Sequence, residues 1–239
     1  MKITTEYVEI AGVRCLVAKP ASNGRFPAVV AWSDIFQLTA PHRRIVERLA
    51  GHGFVVVAPE LYGRFEPKGT VFDFEKDRAQ ALACADKVVV ADQDKDTQAI
   101  IDAIEQRGDV DHTKIGVIGW CFGGHVAFRA AMLQEVRAAA CCYGTGIHNG
   151  KLGASADCGS LERAQEIRGE LLLVWGRSDP HIPADGRARI HRHLEEAGVR
   201  FEARLYDAEH TFMRDEGARY DPESADRALR AVVHLFRRM

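Results

Sequence analysis

Beyond Pro20 the chain alternates between short, almost uninterrupted apolar runs and longer segments with apolar residues on one helical face. The runs are Ala28–Trp32, Phe54–Ala58, Ile115–Gly119, Ala138–Tyr143, Glu170–Trp175 and Phe201–Tyr206. Each is strand-sized and rich in β-formers. The amphipathic segments are Pro41–Ala50, Asp96–Arg107, Gly123–Met132, Ala184–Ala197 and Ser224–Phe236. Continuous apolar strands separated by helices predict a mostly parallel sheet covered on both faces, an α/β architecture. Ahead of it, Tyr7–Ile10 and Val13–Ala18 flank a turn at Ala11-Gly12 and predict an antiparallel hairpin. Two segments break the alternation. Arg64–Asp92 is mixed in pattern and Thr145–Arg163 is rich in Gly, Ser and Asp, so both are expected as loops over a site. No repeat or low-complexity stretch divides the chain, and residues 1–239 are expected as a single domain.

Composition narrows the functional classes. The 239 residues carry a formal net charge of −2, with hydrophobic residues at 46% and charged ones at 28%. This near-neutral balance argues against nucleic acid as a partner. No apolar run reaches the ~20 residues of a membrane helix, and no membrane partner is expected. The first residues, "MKITTEYVEIAGVRCLV", lack the unbroken apolar stretch of a signal peptide, so a cytoplasmic location is expected. Six cysteines are scattered without CxxC spacing, which argues against a disulfide framework or a zinc site.

One of them stands out. In "IGVIGWCFGGHVAFRA", Cys121 sits between Gly119 and the pair Gly123-Gly124, where an apolar strand gives way to a helical pattern. Ligands bind at the carboxyl ends of strands in parallel sheets. A sharp strand-to-helix turn there pushes its apical side chain out of the sheet, and its flanks admit only residues without a Cβ. This is the logic of the G-x-S-x-G nucleophile elbow, with cysteine in place of serine. The helix N-terminus behind it supplies free N–H groups and a field that favours thiolate, the reactive form. A dinucleotide-binding loop is a poorer reading, because Cys121 stands where G-x-G-x-x-G needs its second glycine and Trp120 would crowd a pyrophosphate.

A cysteine nucleophile needs a base, and the base needs an orienting acid. Asp179 lies just past the strand "ELLLVWG", and His210 just past "RFEARLYD". Cys121, Asp179 and His210 follow the chain order nucleophile, acid, histidine. His181 is the rival base. Asp207 and Glu209 are alternative acids but stand too close in sequence to His210 to orient it. His42, His52, His112, His191, His193 and His234 fall on helix patterns or turns and are expected in solvent. "DQDKDTQ" imitates a calcium loop but has Thr97 where glycine is needed and Ala103 where the bidentate glutamate belongs. His191 and His193 point to different faces of a helix and make a poor metal pair.

With these residues in place, the chain resembles the dienelactone hydrolase family of α/β-hydrolases over nearly its whole length. The resemblance rests on "GWCFGG", "PELYGR" at Pro59–Arg64, "GRSDPHIP" at Gly176–Pro183 and "YDAEHTF" at Tyr206–Phe212. It implies the α/β-hydrolase fold and hydrolysis of an ester or lactone through a thioester on Cys121, with no metal or organic cofactor. It implies oxyanion donors at the backbone N–H groups of Ile35 and Phe122. It implies a thiol-modulating carboxylate at Asp34, where the family pattern has the longer glutamate, and Gln37 where it has glycine. It implies recognition of a substrate carboxylate by Arg214 and by Arg78. The expected partner is a small ester or lactone substrate that can carry a carboxylate, and the chain is expected as a monomer or homodimer. Two other classes share parts of this pattern: a non-catalytic sensor on the same fold, and a cysteine peptidase or acyltransferase. Turnover on a panel of esters, lactones, thioesters and peptides separates them.

Overall fold

The structure is a computed structural model that describes residues 1–239. Eight strands form one sheet: β1 (Ile3–Ile10), β2 (Val13–Pro20), β3 (Phe26–Trp32), β4 (Val55–Pro59), β5 (Val110–Trp120), β6 (Val136–Cys142), β7 (Glu170–Gly176) and β8 (Phe201–Tyr206). Their order is β1-β2-β4-β3-β5-β6-β7-β8. The hairpin β1–β2 is antiparallel and joins β4 antiparallel, and every other pairing is parallel. β4 is buried along its whole length, and β3, β6 and β7 nearly so. Burial on both faces is why these strands read as unbroken apolar runs. The edge strand β8 keeps Glu202 and Arg204 exposed, which discourages pairing with another chain.

Six α-helices surround the sheet: α1 (Ala40–Gly51), α2 (Arg78–Ala85), α3 (Val90–Glu105), α4 (Phe122–Ala130), α5 (Ala184–Glu196) and α6 (Pro222–Arg237). Phe236 of α6 covers Gly116 in the middle of β5, where an added Cβ would come within 2.7 Å of the ring. The chain runs outward from β3 to β4 and then returns to place β5 on the other side of β3. Ligand crevices form at such a reversal, beyond the carboxyl ends of the two strands. Here those ends lead into the Ser33–Thr39 loop and into Cys121.

Three expectations need correction. Arg64–Asp92 is not simply a loop: it contains α2 and the first residues of α3, which begins at Val90 rather than Asp96. α2 buries only Ala81, Cys84 and Ala85, so it has no bulky apolar stripe to read. The first turns of α3 turn Gln93 and Thr97 inward, with Thr97 Oγ1 donating to the Gln93 carbonyl at 2.8 Å. His42 is buried rather than solvated. Its ring meets Trp120 edge-to-face at 5.0 Å, and burial pushes its pKa down to about 4 against a partial offset from the Ala31 carbonyl. The other irregular segment, Thr145–Arg163, matches expectation, holding one short 3-10 turn at Ile147–Asn149 and a single bridge between Leu152 and Ser155.

Candidate active site

The elbow is strained in the way its glycines predict. Cys121 precedes α4 with φ 56 and ψ −116, a backbone conformation that L residues rarely adopt. A Cβ on Gly119 would lie 1.8 Å from the Gly123 carbonyl oxygen, and one on Gly123 would lie 2.3 Å from the Ser33 carbonyl oxygen. One on Gly124 would reach the Gly144 Cα at 2.7 Å. No side chain is accommodated at these distances, so all three positions require glycine. The strain is held from outside. Cys121 N–H donates to the Cys142 carbonyl at 3.0 Å, and the Cys121 carbonyl accepts from Thr145 and Gly124 at 3.1 and 3.0 Å.

Asp179 and His210 meet beside this elbow, from the segments after β7 and β8. Nδ1 of His210 and Oδ2 of Asp179 are 2.6 Å apart, and both residues are buried. The second carboxylate oxygen accepts the His181 backbone N–H at 2.8 Å, which fixes the acid's plane. The His210 ring is flanked edge-on by Tyr143 and His181, with centroids at 5.2 and 4.7 Å. Burial pulls the His210 pKa down, but the Cys121 sulfur charge and the Asp179 and Cys121 hydrogen bonds outweigh it and raise it to about 9. His181 meets His210 edge-to-face but gives Asp179 only its backbone, and burial lowers its own pKa.

Cys121 and His210 open onto a cavity of about 610 Å³. Ile35, Phe122, Asp34, Arg214 and Arg78 also line it. The structure therefore brings every residue expected at the site to one cleft, with Asp179 held behind His210. The N–H groups of Ile35 and Phe122 find no backbone acceptor, unlike their neighbours Gln37 and Gly123. Asp34 is buried, with Oδ1 accepting the Phe36 N–H at 2.9 Å and Oδ2 at 3.8 Å from Arg214 Nη1. Burial lifts its pKa above the usual carboxylate range, opposed by the Phe36 N–H, Arg214 and His210. The Arg214 guanidinium lies over the rings of Phe74 and Phe36, at 4.2 and 5.6 Å from their centroids.

Other lining residues escaped the sequence. Phe74 stands in the patternless stretch before α2, and Lys151 and His148 come from the Gly-rich segment after β6. No periodicity marks them. Tyr62, by contrast, lies inside "PELYGR", a signal that pointed to importance without saying why. No group of three or more His, Cys, Asp or Glu is placed to hold a metal ion, and no helix is long and apolar enough to cross a membrane.

The chain is similar to known proteins. A protein from Saccharomyces cerevisiae, provisionally named carboxymethylenebutenolidase, is 34% identical over 224 residues, covering 90% of this chain and 81% of its own. The carboxymethylenebutenolidase of Pseudomonas sp. (strain P51) is 28% identical over 91% of this chain and 87% of its own. A crystal structure from Klebsiella pneumoniae, provisionally assigned as a dienelactone hydrolase, superposes with a TM-score of 0.83 at 23% identity, covering both chains completely. The fold is thus that of the dienelactone hydrolases. The sequence model of the dienelactone hydrolase family matches residues 13–239, and the chain belongs to that family.

Proposed function

We propose that the protein hydrolyses carboxylic esters or lactones through a covalent thioester on Cys121. The observation that carries the reading is the placement of Cys121, at a strained elbow, in one cleft with an imidazole held by a buried carboxylate at 2.6 Å. His210 takes the thiol proton, and a pKa of about 9 keeps the resulting imidazolium protonated at neutral pH. Asp179 fixes the ring so that Nε2 faces the sulfur. The sulfur attacks the carbonyl carbon. The oxyanion then gathers the N–H groups of Ile35 and Phe122, each such donor being worth roughly 3–4 kcal/mol in comparable sites. As the C–O bond breaks, His210 returns its proton to the leaving oxygen. Water then gives a proton to His210 and attacks the thioester. The C–S bond breaks, and the acid and the thiolate–imidazolium pair are regenerated.

Asp34 sits where it modulates the thiol's charge, since a buried carboxylate disfavours a second negative charge nearby. Arg214 and Arg78 present guanidinium groups to a carboxylate on the substrate, a pairing suited to their planar donors. The relatives' name, carboxymethylenebutenolidase, points to an acidic lactone of this kind. The test is rapid quenching during turnover of a panel of acidic lactones, neutral esters, thioesters and peptides, followed by mass spectrometry. An acyl adduct on the Cys121 peptide is expected with lactones and esters. Wild-type turnover in Cys121→Ala would exclude the covalent route.

A further inference from the structure

Gln37 adopts φ 70 although it is not glycine, and it is only 1% exposed. A non-glycine residue in the left-handed region persists only when its surroundings impose it. Here both ends of its side chain are engaged. Oε1 accepts the Tyr62 N–H at 3.2 Å, and Nε2 donates to the Thr70 carbonyl at 2.8 Å. The amide therefore ties the loop after β3 to two other stretches of chain. The Tyr62 hydroxyl, fully buried, adds a second tie by donating to the Ile35 carbonyl at 3.0 Å.

The backbone of Gln37 explains what the tie serves. Its N–H donates to the Asp34 carbonyl at 3.2 Å. That carbonyl belongs to the same planar peptide unit as the Ile35 N–H, and in a trans peptide the two point in opposite directions. Fixing the Asp34 oxygen on one side therefore aims the Ile35 N–H the opposite way, and Ile35 lines the cavity. The next peptide is fixed as well, through Tyr62 at the Ile35 carbonyl and Asp34 Oδ1 at the Phe36 N–H.

We propose that Gln37 is a positioning residue for the oxyanion: its clamped side-chain amide holds the Asp34–Ile35 peptide so that the Ile35 N–H meets the developing charge. The inference rests on the hydrolase reading above, in which Ile35 is an oxyanion donor. Small displacements of such groups matter, because removing one donor outright costs about 10²–10³ in kcat. A loosened donor retains part of its effect.

The experiment compares the wild type with Gln37→Met, which keeps length but loses both hydrogen bonds, and with Gln37→Gly, which loses the clamp while accepting the left-handed backbone without strain. Both are expected to lower kcat for esters and lactones about tenfold, a fraction of the loss for deleting a donor, with KM nearly unchanged. Alkylation of Cys121 by iodoacetamide is the control, since attack on a saturated carbon develops no oxyanion. Its rate is expected to stay at the wild-type value in both variants. A wild-type kcat in Gln37→Gly overturns the clamp, as does a fall in alkylation that matches the fall in kcat, which marks general loosening of the site. Absence of turnover by the wild type on every ester and lactone overturns the hydrolase reading and the clamp with it.

Discussion

Asp34 faces Arg214 across 3.8 Å while its other oxygen holds the Phe36 N–H at 2.9 Å. The ion pair is too long for a hydrogen bond, so a buried carboxylate is left under-compensated and its pKa rises, with desolvation as the main cause. The consequence for stability has a definite sign. Below the unfolded-state pKa of about 3.9 both states are protonated and burial of the acid carries no charge penalty. As pH rises through the folded-state pKa, the folded protein must ionise a buried group and loses stability.

Asp34→Asn keeps the acceptor for Phe36 N–H and removes the charge. Its Tm at pH 7 is expected to exceed that of the wild type, by about 2–4 °C for each kcal/mol relieved in a domain of this size. The gain should shrink toward pH 4. Thermal unfolding at pH 4, 5.5 and 7 checks it, and a difference that does not vary with pH removes the burial argument.

Arg214 supports a different prediction. Its guanidinium is oriented by Phe74 and Phe36 and reaches Thr211 Oγ1 at 3.4 Å, leaving donors for a ligand. Charged hydrogen bonds contribute about 1.5–3 kcal/mol, so Arg214→Ala is expected to raise KM for carboxylate-bearing lactones roughly 10–100-fold. KM for neutral esters should change little. Arg214→Lys should recover only part of the loss, because an ammonium cannot offer two parallel donors. Equal losses on acidic and neutral substrates would show that Arg214 does not read the carboxylate.

These residues differ in how far the sequence exposed them. Cys121, Asp179 and His210 were legible as candidates because each follows a strand-sized run, and the ends of parallel strands converge on one crevice whatever the loops do. The β3, β4, β6 and β7 runs were legible because burial on both faces leaves no polar interruption. α2 was hidden because small residues pack as well as large ones where the neighbouring surface is close. His42 was misread because the first turn of α1 dips into the core, with Pro41 and His42 both buried. The Gln37–Tyr62 clamp could not be read at all. Its partners stand 25 and 33 positions away, and the left-handed backbone that it stabilises leaves no periodic trace.

The strain at Cys121 can be measured in the folded protein's stability. Alanine at this position keeps a Cβ at φ 56, and glycine removes it. Strained residues of this kind cost about 1–3 kcal/mol, part of which glycine gives back through the entropy of its unfolded state. Cys121→Gly is therefore expected to be more stable than Cys121→Ala by about 1 kcal/mol, while both lose turnover. Urea unfolding of the two inactive variants decides the point. A glycine variant less stable than the alanine variant would mean that the elbow is not under strain.

His210 offers the sharpest check on the thiolate–imidazolium pair. Burial alone would depress its pKa, so the rise to about 9 depends on the Cys121 charge, helped by the hydrogen bonds to Asp179 and Cys121. Removing the sulfur in Cys121→Ala leaves burial opposed mainly by Asp179, and the imidazole pKa is expected to fall below the wild-type value. NMR titration of the ring resonances reads this directly. The linked stability follows the usual rule for a raised histidine. The folded protein gains from protonated His210 fully below the unfolded-state pKa of about 6.5, and the gain is lost as pH rises through about 9. The His210 contribution to stability should therefore decline between these values, and this contribution should shrink in Cys121→Ala. If His210 titrates at the same pH in both proteins, the sulfur carries no charge that the imidazole feels, and His210 would have to act as a neutral base on a protonated thiol.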